Sequence, residues 1–439
     1  MMNSKVPTEA FIWIWLPHAT KPVIAGKLTA SGKHYLFNYG KSYLARPDAI
    51  AIYDKELPLR PGIIYPLNRL EIPGCIRDAA PDAWGKRVII SRLLGLSGAN
   101  LETVQLDELT YLLESGSDRI GALDFQRSPT VYEPRALVSA SLEELLESAT
   151  RVEQGLPLTA ELDQALFHGS SIGGARPKAL IKNKNTYLIA KFSSTTDLYS
   201  VVKAEFIAMK LAKLAGLNVA KVSLTKAANK DVLLIERFDR IETAQGCERR
   251  LLVSALTLFG MDEMMARYAS YQHFAELIRR QFYDPLPALQ ELFARICFNI
   301  LVGNTDDHAR NHAAFWDGQM LTLSPAYDIC PQNRTGYEAT QAMLITENNR
   351  ASTLATCLQG AKHFLLSKEQ AKHIIETQVY TIVNHWETVC DEASLNEIDR
   401  KFLLGRQIVN PYCIVGLDEI NKTLYQFVKK AMGTLGAHS

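Results

Sequence analysis

The sequence predicts an α+β fold, and three observations carry that prediction. The first quarter alternates short strand-like runs with Pro and Gly, the middle reads as a hairpin, a helix and two more strands, and the remainder is mainly helical. At 439 residues the chain exceeds one compact core and suits two or three domains.

Taken in order, the runs 11–16 and 50–53 read as strands, and 82–94 and 106–114 carry helical spacing. After Arg127-Ser128-Pro129 the texture changes. Ser141, followed by Glu143 and Glu144, reads as the N-cap of an acidic helix, so a boundary is expected near 125. The runs 179–182 and 186–192 flank Lys184-Asn185 and predict a hairpin. In 201–215 apolar residues recur at helical intervals, with Gly216 where a left-handed cap belongs. Two strands are expected at 218–224 and 232–235, and helices at 287–302, 368–390 and 417–432. Between those helices, 312–316 and 320–324 alternate around Asp317-Gly318, a dipeptide suited to a hairpin turn.

Composition narrows the function classes. With 47% hydrophobic, 22% charged and 9% aromatic residues the chain is an ordinary globular protein, not a disordered or fibrous one. A net charge of +1 gives no global field to hold a polyanion, so direct DNA binding is not expected. Seven cysteines, widely spread and without a Cys-x-x-Cys pair, nominate no zinc or redox site and fit a reducing compartment. The N-terminus lacks the basic flank and apolar core of a signal peptide, and 11–16 falls far short of the ~20 apolar residues that span a bilayer. The expectation is a cytoplasmic protein with no membrane contact.

The chemistry concentrates in Gly303-Asn304-Thr305-Asp306-Asp307-His308-Ala309-Arg310-Asn311, a polar run at the end of an apolar helix. Phosphoryl transfer needs a carboxylate at the substrate hydroxyl, oxygen ligands for magnesium and a cation on the phosphates. Asp306 and Asn311 stand five apart, the spacing of base and metal ligand in a protein-kinase catalytic loop. Behind the Asp317-Gly318 hairpin, Asp328 can return a second carboxylate for magnesium. Neither His-Arg-Asp nor Asp-Phe-Gly is present, so this is no ordinary eukaryotic-type kinase. A polar loop that merely caps its helix is the competing reading. A third reading takes His308 and His312, four apart beside two carboxylates, as ligands of a metal-dependent hydrolase.

Upstream, Lys191 near the end of a strand and Glu205 early in the next helix stand in the order of a kinase's phosphate-binding lysine and its glutamate partner. The run from Gly169 to Lys178, containing Ser170, Ser171, Ile172, Gly173 and Gly174, could bring backbone amides to phosphate oxygens, or be only a Gly-Ser turn. Glu236-Arg237-Phe238-Asp239-Arg240 leaves a strand where adenine could rest, unless it is a salt-bridged surface turn.

Together these segments resemble the HipA family of bacterial toxin kinases. The resemblance lies in Ser171 to Lys178 with its Gly-Gly-Ala-x-x-Lys core, Leu234 to Arg240, Asn304 to Asn311, and Tyr327-Asp328. Asp78-Ala79-Ala80-Pro81-Asp82-Ala83-Trp84-Gly85 and Asp118-Arg119-Ile120-Gly121-Ala122 add a likeness to the family's N-terminal subdomain. It implies a two-lobed protein-kinase-like fold with a β-rich N-lobe, a helical C-lobe and an extra β-rich N-terminal subdomain. The implied division is 1–125, 126–240 with the Ser171 loop, and 241–439 with the catalytic loop. It further implies an ATP- and Mg2+-dependent serine/threonine kinase with Asp306 as base and Asn311 and Asp328 as metal ligands. ATP would be held by Lys191, Glu205, Glu236, Phe238 and the loop Ser171, Ile172, Gly173 and Gly174. Autophosphorylation is expected at Ser171 or Ser170. Implied partners are a HipB-like helix-turn-helix antitoxin, through which alone DNA would be reached, and a protein substrate such as an aminoacyl-tRNA synthetase. The alternative is an inactive kinase fold acting as corepressor beside that antitoxin. Asp307 stands where some relatives have Gly, and Ser170 adds a second hydroxyl.

Overall fold

A computed structural model describes residues 6–95, 103–135, 140–154, 156, 158–167, 170–171, 174, 176–194, 197–334 and 336–438. The chain divides into two compact units, one of 1–196, 225–253 and 315–319, the other of 197–224, 254–314 and 320–439.

In the first unit, β1 (Glu9–Ile14), β2 (Val23–Ser31), β3 (His34–Tyr39) and β4 (Leu123–Gln126) form an antiparallel sheet of order β3-β2-β1-β4. Alternate residues such as Ile12, Ile14, Leu28, Phe37 and Phe125 are fully buried, which is what period-two patterning on a half-covered sheet produces. The run 50–53 is not a strand, contrary to the expectation. Its amides find side chains instead of a ladder: Ile52 N donates to Tyr39 Oη (2.9 Å) and Ile50 N to Tyr43 Oη (3.3 Å).

Helices α1 (Ala83–Leu94) and α2 (Glu108–Glu114) follow the expected spacing, and Asp107 caps α2 through Thr110 N. In front of α3 (Leu142–Gln154), Ser141 Oγ accepts from Glu144 N while the Glu144 carboxylate accepts from Ser141 N, a reciprocal cap. The hairpin of β5 (Lys178–Asn183) and β6 (Thr186–Phe192) turns at Lys184, whose φ is +52°. It continues into a second antiparallel sheet of order β5-β6-β8-β7, with β7 at Val222–Ala227 and β8 at Lys230–Glu236. Strands β9 (Arg240–Thr243) and β10 (Gly246–Arg249) form a ribbon, and β11 (Leu251–Ser254) follows. Trp84, Val88, Tyr111, Leu145, Phe192 and Val232 share one buried cluster, so the N-terminal helices and the second sheet have a common core.

In the second unit, α4 (Val201–Leu214) ends as expected before Gly216, whose φ is +88°. The expected strand at 218–224 is split. Residues 218–220 pair instead with Ala326, through Ala220 N to Ala326 O (2.9 Å) and Ala326 N to Asn218 O (2.7 Å), and β7 begins only at Val222. Helix α5 (Tyr271–Gln281) precedes α6 (Pro285–Val302), a helix long and apolar enough to cross a membrane that is nevertheless 67% buried within the protein, as a core helix is. After α6 come the expected hairpin strands, β12 (Ala313–Trp316), whose last two residues are counted in the first unit, and β13 (Leu321–Leu323). Helix α7 (Lys368–Glu392) opens with a capping box of Ser367 and Gln370. The single helix expected over 417–432 is interrupted: a turn at Leu417–Ile420 stops, and Asn421 caps α8 (Lys422–His438) through Leu424 N. Among the described residues no disulfide forms.

Candidate active site

Helix α6 ends at Gly303 in the left-handed region, φ +70°, where a Cβ would lie 2.5 Å from Gln407 O. The chain thereby turns sharply into the predicted catalytic loop. Asp306 O accepts both His308 N (2.8 Å) and Asn311 Nδ2 (3.1 Å), and Asn311 N donates to His308 O (2.8 Å). The five-residue spacing therefore closes a compact loop in which Asn311 is buried and Asp306 stays open to solvent. Partial desolvation pushes the Asp306 carboxyl above the usual carboxylate range, opposed by His308 and reinforced by Asp328 and Asp307.

Asp328 comes to the same neighbourhood. Tyr327 Oη donates to Arg310 O within the loop (2.7 Å), and the Ala326 pairing fixes the chain on the other side. Asp328 itself sits at φ +60°, a conformation uncommon for a residue with a side chain and a frequent mark of functional positions. Asp306, Asn311 and Asp328 are thus brought together as the sequence predicts.

The sequence reading gave Asp307 no role. It is 3% exposed, accepts from Tyr271 Oη in a very short contact, and bonds His312 Nε2 at 2.9 Å. Burial alone would raise its carboxyl, but His312 and Tyr271 hold it below the usual range. The two adjacent aspartates therefore face opposite ways, Asp306 outward and Asp307 into the fold. Tyr271 lies 36 residues upstream, so no local spacing announces this triad. It also bears on the hydrolase reading, because the His312 ring is engaged by Asp307. Among the described residues, no three His, Cys, Asp or Glu side chains are grouped to hold a metal ion.

The remaining candidates divide between the units. Glu205, on α4 and 3% exposed, belongs with Asp306, Asn311 and Asp328 in the second; Lys191, Glu236, Phe238, Ser170, Ser171 and Gly174 belong to the first. Ile172 and Gly173 lie outside the described residues. Lys191 stands directly opposite Lys178 across β5 and β6, and each is only 8% exposed. Lys178 carries no assigned role in the sequence motif, and its register opposite Lys191 is the signal that singles it out.

The Ser171 loop is tied to the motifs upstream. Ser171 Oγ donates to Asp118 O (3.0 Å), Gly116 N donates to Ser170 Oγ (3.0 Å), and both serines are essentially buried. Gly174, at φ +95°, gives its N–H to Asp82 Oδ2 (3.1 Å) and accepts from Trp84 N (3.0 Å). A Cβ on Gly85 would stand 2.7 Å from Ser170 O, so α1 needs its glycine there. In this conformation the loop's described hydroxyls and the Gly174 amide are bonded to the N-terminal subdomain, not offered outward.

Comparison with known proteins follows this layout. Residues 19–126 match the HipA N-terminal domain, and residues 170–386 match the HipA-like C-terminal domain. The chain belongs to the HipA family. Among its relatives, a putative kinase Y4mE from Sinorhizobium fredii is 26% identical over 67% of this chain and 71% of its own length. A serine/threonine-protein kinase toxin HipA from Shewanella oneidensis is 27% identical over 49% of this chain, the match spanning 54% of that protein's length. The solved structure of HipA from Shewanella oneidensis MR-1, in complex with HipB and operator DNA, covers 98% of both chains with a TM-score of 0.67 and 19% identity. At that identity it shows the fold, a mixed α+β kinase-like architecture, and the named relatives place kinase activity at the level of the HipA family.

Proposed function

We propose that this chain is an ATP- and Mg2+-dependent serine/threonine protein kinase that phosphorylates itself near Ser171 and a protein substrate. The observation that carries the reading is the closed loop in which Asn311 bonds the backbone of Asp306 while Tyr327 ties in the strained Asp328. In this reading Asp306 takes the proton of the substrate hydroxyl, and its raised carboxyl makes it a better acceptor than an ordinary aspartate. Asn311 and Asp328 would hold Mg2+, for which an amide oxygen and a carboxylate are suitable hard donors. When bound, the ion supplies charge neutralisation on the phosphates. Lys191, with Lys178 beside it, would face the phosphates, Glu205 would serve ATP binding, and Glu236 and Phe238 would meet the adenine. Ser171, Ile172, Gly173 and Gly174 would close over the nucleotide.

Because both serine hydroxyls are buried and bonded, transfer to either requires the turn to leave its seat on 116–118. The solved relative's complex supports a HipB-like antitoxin as partner, and in this reading DNA would be reached through that antitoxin. A translation protein such as an aminoacyl-tRNA synthetase is the proposed substrate, in a cytoplasmic setting.

The test is transfer from γ-labelled ATP with Mg2+, comparing wild type with Asp306→Asn and mapping the label by mass. Label on Ser170 or Ser171 in wild type, with the rate down by ~10²-fold or more in the variant, is expected for a lost general base. A folded protein that binds nucleotide and transfers nothing would instead support an inactive binding module.

A further inference from the structure

Two segments that stand out in the sequence, 118–122 and 236–240, are bonded to each other inside the first unit. Asp118 Oδ1 accepts from Arg237 Nη1 (2.9 Å) and Arg240 Nη2 (2.8 Å). Arg237 also donates to Arg119 O (2.6 Å) and reaches Asp239 with Nε (3.0 Å) and Nη2 (2.8 Å). Arg240 Nη1 donates to Gly121 O (2.8 Å) and Asp239 Oδ2 (3.0 Å), and Gly121 N donates to Asp239 Oδ2 (2.7 Å). The side chains of Arg237, Asp239 and Arg240 are at most 3% exposed, whereas Glu236 before them and Phe238 are only partly buried. Over 236–239 burial therefore alternates, with the ionic Arg237 and Asp239 inward and the two proposed nucleotide contacts less buried.

We propose that Asp118 and Arg237 are positioning residues for nucleotide affinity, through which the N-terminal subdomain holds Glu236 and Phe238 in place. The inference rests on the reading of those two residues as nucleotide contacts. A guanidinium fork filled on both sides has little freedom to rotate, so the peptide between Glu236 and Asp239 is fixed in register. The clamp extends to the ring beside it: Asp239 O accepts from Arg250 N (3.0 Å), the Arg250 guanidinium lies 3.3 Å from the centroid of Phe315, and Phe315 meets Phe238 edge-on at 5.9 Å. Movement of Asp239 would be passed to every one of these contacts.

The experiment measures KM for ATP, kcat and calorimetric Kd for ADP in the full chain. Asp118→Asn should raise KM and Kd by about tenfold or more while kcat at saturating ATP stays within about threefold, since a misplaced binding group is felt before the chemistry. Arg237→Lys, which keeps the charge and loses the fork, should do the same. Arg135→Gln is the control, because Arg135 bonds Asp124 and Ser115 O at the far end of the same ionic cluster. An unchanged KM in either folded clamp variant, or an equal rise in Arg135→Gln, overturns the proposal. Wild-type hydrogen exchange supplies a readout independent of folding in the variants: saturating ADP should slow exchange at 117–122, and no protection there overturns the clamp. Glu236→Ala and Phe238→Ala, run alongside, separate the two levels. If these leave KM unchanged the nucleotide assignment itself fails; if they raise it and Asp118→Asn does not, only the clamp fails.

Discussion

Asp306 and Asp307 are chemically identical neighbours whose surroundings give them different work. Asp307 anchors the loop from within through Tyr271 and His312, which leaves Asp306 facing solvent. Tyr271→Phe removes one donor from a buried carboxylate and should cost about 1.5–3 kcal/mol in denaturant unfolding; a loss under half of that would mean the loop is anchored elsewhere. Asp118 and Asp239 carry a pH signature. Burial alone would raise both carboxyls, but Arg237 and Arg240 hold them below the usual range. Because the folded values lie beneath an unfolded value of about 3.9, their stabilisation is complete above that pH and is lost as pH falls through the folded values. Asp118→Asn should therefore flatten the acid limb of stability followed by tryptophan fluorescence, and an unchanged limb would show that the pair contributes nothing there.

The elements show how a turn residue serves the site. Replacing Gly303 by Ala puts a Cβ against Gln407 O and forces a side chain into the left-handed region, which alone costs about 1–2 kcal/mol. The expected result is lower stability together with slower phosphoryl transfer, because the loop leaves α6 at a different angle. Lys184 is the opposite case. It holds φ +52° at an exposed hairpin turn, so Lys184→Gly should raise stability by about 0.5–1 kcal/mol with unchanged activity. Elements with strong local signals were legible in the sequence: the α4 spacing with Gly216, the β5–β6 hairpin, and the Asp306 to Asn311 loop. Those set by distant partners were not. The 50–53 run reads as a strand until Tyr39 and Tyr43 take its amides, and the start of β7 shifts because Ala326 claims 218–220.

For the whole chain, the family matches end at 126 and resume at 170, yet the first unit runs through both and shares one core. A fragment of 127–439 would lose Asp118 and the carbonyls of Arg119 and Gly121, the partners that Arg237 and Arg240 find in the N-terminal part of the chain. Limited proteolysis of that fragment should cut readily within 170–253, while the intact chain resists; equal resistance would show that the second sheet stands without the N-terminal subdomain. This interdependence was invisible in the sequence, where both motifs could be seen but nothing indicated that they meet. The separation has a consequence for synthesis on the ribosome. Asp118 precedes Arg237 by 119 residues, so at 5–20 residues per second the nascent N-terminal subdomain waits roughly 6–24 s for its first arginine partner. The unit's last segment, 315–319, emerges later still. A chain released early, by a stalled ribosome or a premature stop, would present Asp118 and the carbonyls of Arg119 and Gly121 to solvent, without the arginines that cover them in the finished fold.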